Sequence, residues 1–254
     1  MKLKIALLQF YTEKLQDALP LFEDAARRDA DVVLAPERWM SMTGENIITD
    51  DSPFLKQLSK IAEENSCNLV SGALMEREGR KVFVSAYVLG RKGGILEKYR
   101  KTHLFEAESK IFSPGDRPHV FALDRLNASV IICYDLDFPE IVRRCAAEGC
   151  DVLLVPSRIT AAGTRPWRLY ATVRALENRL PIAYANVSDG GKFQGGSTVI
   201  DFEFAEEAPI IYPRIRGMGA KRTCSVFNIE PENFRKERRK RLEQRSPEEK
   251  RMSG

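Results

Sequence analysis

Histidine is nearly missing from this chain: His103 and His119 are the two in 254 residues. That scarcity excludes the zinc patterns built on spaced His and Cys, and gives a Cys–His nucleophilic pair poor support. The five cysteines, Cys67, Cys133, Cys145, Cys150 and Cys224, are odd in number and lack paired spacing, so no disulfide framework is expected. No apolar run approaches a membrane span, and the apolar part of Met1–Phe10 is too short for a signal peptide and lacks a cleavage site. A soluble, cytoplasmic protein without membrane contact is expected. An excess of one charge is lacking too, with 40 Lys and Arg against 36 Asp and Glu. A net charge of +4 calls for no nucleic-acid partner. Repeats and low-complexity tracts are absent.

What is present suits one large α/β domain, with 43% apolar residues to bury as a core. Strand-like and helical patterns alternate from the start. Lys4–Phe10 reads as a strand, Thr12–Arg28 as an amphipathic helix despite Pro20, and Asp31–Ala35 as a second strand. Ser52 and Pro53 open a helix to about Glu64, and Asn68–Leu74 is a strand. Val82–Gly90 pairs with Gly94–Lys98 in a hairpin. The second half repeats the alternation around strands at Val130–Ile132, Asp151–Val155, Pro181–Val187, Ser197–Asp201 and Thr223–Ile229. Two such halves predict a layered two-sheet α/β fold over residues 1–230. Residues 231–254 are dense in Arg, Lys and Glu, with only Phe234 and Leu242 as large apolar anchors. They read as a charged C-terminal tail, solvated or draped over a partner.

The stretch Val130–Glu140 draws attention first. A buried strand ends in Cys133, and Pro139-Glu140 opens a helix a few residues on. Such an elbow is where α/β sheets bind ligands, and a thiol facing a helix N-terminus is expected to favour the thiolate. Two more polar residues follow strand ends: Glu37 after Val32–Pro36, and Lys101 just past the hairpin. Singly, these are a packing cysteine, a helix-entry acid and a surface lysine. Together they supply a nucleophile, a general base and a cation for a developing oxyanion.

Leu34-Ala35-Pro36-Glu37-Arg38-Trp39, Tyr99-Arg100-Lys101-Thr102-His103-Leu104-Phe105 and Cys133-Tyr134-Asp135-Leu136-Asp137-Phe138-Pro139-Glu140 resemble three blocks of the nitrilase superfamily of carbon–nitrogen hydrolases. Arg174–Arg179 and Phe193–Ser197 fit as well. The resemblance implies a four-layer αββα sandwich and a Glu37-Lys101-Cys133 triad that needs no metal or cofactor. It also implies a further acid, Glu108 with Glu106 as its rival, that orients the catalytic groups. A homodimer or higher homo-oligomer is implied, with 231–254 at the dimer interface.

The expected reaction is hydrolysis of a small non-peptide amide through a Cys133 thioester, releasing ammonia. Glu37, its pKa raised by burial, would take the thiol proton, and the Tyr134 backbone N–H would join Lys101 at the oxyanion. Cys-Tyr-Asp with Phe-Pro-Glu resembles the amidase branches. Asp137 departs from an arginine common there, and Ser157-Arg158-Ile159 from a smaller residue. Arg158 or Arg165 could read a substrate carboxylate. A nitrilase, an N-carbamoyl hydrolase and a catalytically silent scaffold are the alternatives.

Overall fold

The computed structural model describes residues 2–204 and 211–245. The first half lays down β1 (Leu3–Leu8), α1 (Leu19–Ala26), β2 (Val32–Leu34), β3 (Ile47–Ile48), α2 (Pro53–Glu64), β4 (Asn68–Glu78), β5 (Lys81–Leu89) and β6 (Ile95–Arg100). The second adds β7 (Phe121–Leu123), β8 (Leu126–Val130), α3 (Pro139–Ala147), β9 (Val152–Ser157) and α4 (Thr164–Asn178). It closes with β10 (Ile182–Asn186), β11 (Thr198–Phe204), β12 (Ile211–Gly217), β13 (Cys224–Ile229) and α5 (Arg235–Glu243). Among the described residues one sheet runs β13-β1-β2-β4-β5-β6 with β3 beside β4, and a second runs β12-β11-β10-β9-β8-β7.

Strand periodicity explains the layering. Leu3, Ile5 and Leu7 of β1, with Val32 and Leu34 of β2, point into the core between the sheets. Their neighbours Ala6, Leu8 and Val33 point outward, against Phe22 of α1 and Phe54 and Leu58 of α2. Strands buried on both faces need apolar residues in unbroken runs, as Ile5–Leu8 of β1 and Val32–Leu34 of β2 provide. Val142 and Cys145 of α3, and Ala171 and Ala175 of α4, pack with the second sheet. The result is the expected αββα sandwich, with β1 lying against β10 and β4 against β9.

Local chemistry decides where the elements differ from expectation. The segment Thr12–Arg28 is not one helix: a 3₁₀ turn at Leu15–Ala18 leads into α1, with Pro20 in its first turn. Proline lacks an N–H and clashes with the preceding turn, so it is accommodated only at a helix start. Strand β4 runs on to Glu78 because Gly79 and Arg80 turn it into β5. Strand β12 carries Pro213 and alternating charge, which hide a strand, and it is tolerated because β12 is an edge. Between β8 and α3 a 3₁₀ turn, Cys133–Asp137, replaces the direct strand-to-helix elbow.

Of the charged tail, 246–254 lies outside the described residues. Its first part docks on its own chain. Phe234 is buried edge-on against Phe202 at 5.0 Å. Asp151, fully buried, accepts from Arg235 Nε at 2.9 Å and Arg238 Nη2 at 2.8 Å, and from the Asn127 main chain at 3.0 Å. Burial raises the Asp151 pKa, but Arg235, the Asn127 N–H and Arg238 outweigh it and hold the carboxyl below its ordinary value. Its contribution to stability is therefore complete above the ordinary aspartate pKa and lost as pH falls through the lowered one.

Asp151→Ala leaves Arg238, 3% exposed, as a buried charge without its carboxylate. The expected loss in denaturant unfolding is roughly 3–5 kcal/mol. Trypsin should cut first within Arg235–Arg241, and wild-type resistance retained in the variant would contradict this account.

Candidate active site

Four charged or nucleophilic side chains from three strand ends meet in one cavity. Glu37 lies just past β2, where its N–H donates to Ser157 O at 3.1 Å, joining the edge of one sheet's loop to the end of β9 in the other. The loop can sit this low because of Gly72, at φ +74° in the bulge of β4. A Cβ there would stand 2.1 Å from Pro36 O and 2.8 Å from the Trp39 indole nitrogen.

Lys101 follows β6, and its N–H and C=O are held by Val84 O and Gly115 N, both at 2.8 Å. The side chain is 1% exposed, as is that of Glu37. Lys101 Nζ donates to Glu37 Oε1 at 2.8 Å and to Glu108 Oε2 at 2.9 Å. Glu108 also accepts from Phe105 N at 2.8 Å, which fixes its loop, whereas Glu106 is exposed. The second cation of the cluster is Arg38, whose Nη2 donates to Glu108 and whose Nε stands 3.6 Å from Glu37 Oε1. Two carboxylates therefore face two cations.

Cys133 opens its 3₁₀ turn at φ +43°, and Arg38 sits at φ +42°. Non-glycine residues in this left-handed region cost on the order of 1–3 kcal/mol each, a cost found where geometry serves a site. The turn is locked by buried Asp135. Its Oδ2 accepts from Ile132 N at 3.0 Å and Tyr99 OH at 2.8 Å, and its Oδ1 from His103 N at 2.8 Å. Arg174 of α4 donates to Leu136 O at 3.2 Å and Asp137 O at 2.8 Å. Asp135 thus ties the Cys133 turn to the segment bearing Lys101.

The electrostatics reverse two expectations. Burial pushes the Cys133 thiol far above its ordinary pKa, the Glu37 charge adds to this, and Lys101 offsets only part. No thiolate is favoured, because the 3₁₀ turn places the thiol in a dry pocket beside a carboxylate rather than at the mouth of α3. Burial also pushes Glu37 up, but Lys101 and Arg38, with hydrogen bonds from Lys101 and Cys133, outweigh it and hold Glu37 below its ordinary value. Lys101 is pulled down by burial and raised more strongly by Glu37, Cys133 and Glu108. These directions favour a neutral thiol beside an ionised glutamate, with a protonated lysine alongside.

The cavity holds about 240 Å³, and its lining includes all four of these groups. Tyr134, Phe105, Trp167 and Tyr170 form much of its wall. Arg158 lines it as well: its Nη1 donates to Arg38 O, and its guanidinium lies 4.4 Å over the Phe193 ring. Arg165 is not among the lining residues. It borders a separate groove with Arg168, Leu169 and Ile215. Three contributors escaped sequence reading: Arg38, Asp135 and Asp137, the last lining the cavity four residues after Cys133. Each sits inside a quoted motif beside a more conspicuous residue; Arg38 and Asp135 are revealed by their partners, and Asp137 by its place in the cavity wall. Among the described residues no group of three His, Cys, Asp or Glu side chains is disposed to hold a metal.

Comparison with known proteins gives the family of the chain. A family profile described as Carbon-nitrogen hydrolase matches residues 7–205. An omega-amidase from Mus musculus is 30% identical over 222 residues, 78% of this chain and 80% of its own. A 2-oxoglutaramate amidase from Bacillus subtilis is 29% identical over 217 residues, 79% and 83% of the two chains. An amidase from Nesterenkonia sp. AN1 superposes with a TM-score of 0.74 at 28% identity, covering 95% of each chain. In that structure the acetamide moiety of fluoroacetamide is attached to the active-site cysteine.

The raised thiol can be read directly. Ultraviolet thiolate absorbance, wild type minus Cys133→Ser, should show no step near pH 8.5, about where an unperturbed thiol titrates. A thiolate already formed at neutral pH would overturn the neutral-thiol assignment.

Proposed function

The chain belongs to the carbon–nitrogen hydrolase family and is an amidase-like enzyme acting on non-peptide C–N bonds; from that premise we propose that Glu37, Lys101 and Cys133 hydrolyse the amide of a small carboxylate-bearing substrate. The observation that carries this reading is the Lys101 ammonium held at 2.8 Å from Glu37, in the same cavity that Cys133 lines.

Cys133 Sγ attacks the amide carbon while its proton passes to Glu37 Oε. A neutral thiol beside an ionised base is primed for this: the proton moves only as the S–C bond forms. Negative charge grows on the substrate oxygen, where Lys101 and the Tyr134 backbone N–H supply compensation in a dry cavity. Glu37 gives its proton to the departing nitrogen, the C–N bond breaks and ammonia leaves. Water then attacks the thioester, Glu37 takes its proton, and the carboxylic acid departs as sulfur regains a proton. The balance is R–CO–NH₂ plus water giving R–COO⁻ and NH₄⁺. Glu108 and Arg38 hold Lys101 and Glu37 in register.

Arg158 supports the anionic acyl group. Burial and the neighbouring Arg38 charge lower its pKa, and no carboxylate of the described residues lies within ion-pair distance. A half-buried guanidinium so placed gains from a ligand carboxylate gripped by two N–H groups.

Ammonia release from a panel of amides, nitriles and carbamoyl compounds tests the reading. Cys133→Ala should abolish release, and Lys101→Met should lower kcat by on the order of 10²–10³. Glu37→Gln leaves the raised thiol without its base and the leaving nitrogen without its proton, so it should abolish release with no acyl-enzyme visible by intact mass. Unchanged release in Cys133→Ala would refute it.

The pH profile follows from the shifts. Glu37 must be ionised, so the acid limb of kcat/KM should lie below the ordinary glutamate range. The raised thiol and lysine should leave the profile flat through the ordinary thiol range. Arg38→Gln removes a cation and should move the acid limb upward, while an unmoved limb would deny Arg38 its electrostatic role.

A further inference from the structure

Six charged residues line the cavity: Glu37, Arg38, Lys101, Glu108, Asp137 and Arg158. Four are spent on one another, since Lys101 and Arg38 hold Glu37 and Glu108. The remaining two, Arg158 and Asp137, carry opposite charges and are not paired. Arg158 donates to the Arg38 main chain, and Arg174 reaches only the main-chain oxygen of Asp137. The Asp137 carboxylate has no ion-pair partner among the described residues.

Each unpaired charge has surroundings of its own kind. Arg158 leaves the end of β9 beside Arg38, over Phe193, so its wall is rich in guanidinium. Asp137 closes the Cys133 turn, near the aromatic rings that line the same cavity. Tyr134 sits 5.1 Å from Phe105 and 5.3 Å from Phe138, both edge-on. A carboxylate lining the same cavity as aromatic rings is chemistry that can receive an ammonium, through an ion pair and through the ring faces. The turn is also fixed, because Arg174 clamps its carbonyls and Asp135 its start. Asp137 is thus presented by a rigid element.

We infer that the cavity takes a dipolar substrate, an ω-amide that carries both a carboxylate, read by Arg158, and an ammonium group, read by Asp137. This rests on the amidase reading above and narrows its substrate class. A cavity of about 240 Å³ has room for a short chain bearing both groups, with the amide carbon at Cys133. An acyl chain bearing only a carboxylate leaves Asp137 as a repelling charge, and one bearing only an ammonium leaves Arg158 unmatched. Discrimination of this kind works as much by penalising the wrong ligand as by holding the right one.

Four compounds separate the contributions: glutamine, glutaric acid monoamide without the ammonium, 4-aminobutyramide without the carboxylate, and butyramide with neither. In wild type, kcat/KM should be highest for glutamine. Asp137→Asn should shift the glutamine-to-monoamide ratio of kcat/KM toward the monoamide by about tenfold or more. Arg158→Gln should shift the glutamine-to-aminobutyramide ratio toward the aminobutyramide by a similar factor. Ratios are taken within one preparation, so partial misfolding of a variant cancels. Equal effects of Asp137→Asn on all four compounds, or a monoamide preferred by wild type, would overturn the inference.

Binding supplies an arm independent of turnover. Calorimetry with Cys133→Ala should rank glutamine above the other three, and glutamine bound no more tightly than butyramide would also overturn the inference. Failure of the amidase reading looks different: turnover that persists in Cys133→Ala, whatever the ranking of the compounds.

Discussion

One ammonium shared by two buried carboxylates holds the centre of this protein together. Lys101 reaches Glu37 and Glu108 at 2.8 and 2.9 Å from a position with almost no contact with water. An ion removed from water loses several kcal/mol, and a close pair recovers a comparable amount at an effective dielectric of about 20. Two carboxylates against one ammonium would not close that balance. Arg38 supplies the missing charge, and its left-handed backbone and its bond to Glu108 follow from being needed there. The constraint reaches outward from the cluster. Gly72 is required so that Pro36 can pack low, and the Glu37 N–H stitches the loop of one sheet to Ser157 at the end of β9 in the other. The sandwich and the cluster therefore specify each other.

Much of this was legible in the amino acids. Continuous apolar runs at β1, β2 and β9 announce strands buried on both faces, and the Ser52-Pro53 start of α2 is a cap written in the chain. The three motifs carrying Glu37, Lys101 and Cys133 stand at strand ends, and the fold brings strand ends together. What was not legible depends on partners distant in sequence. Arg38 stands inside a motif as the neighbour of Glu37, and its contact with Glu108, 70 positions away, exists only in the fold. Arg238, in a run of mixed charges, gave no sign of being buried against Asp151. The Thr12–Arg28 pattern was helical in period but overruled by one proline.

The directions of titration were the least legible of all. Burial and a helix end pull a thiol in opposite senses, and the sequence alone contains both. The geometry decides, because a turn stands between Cys133 and α3 while the Glu37 carboxylate faces the same cavity. The same holds for Glu37, where desolvation argues one way and two cations argue the other. Counting charges within a few ångströms settles what counting residues along the chain does not.

A sulfur kept protonated by its own pocket has a consequence for survival. Peroxides attack thiolates, so the ladder from sulfenic to sulfonic acid begins slowly at a neutral, nearly inaccessible thiol. Cys133 is 6% exposed, and burial with the Glu37 charge favours that unreactive form. The sulfur becomes a strong nucleophile only as it loses its proton to Glu37 in the act of bonding to carbon. Reactivity and durability are thus separated in time rather than traded against each other, and the protein carries an oxidisable atom without keeping it armed.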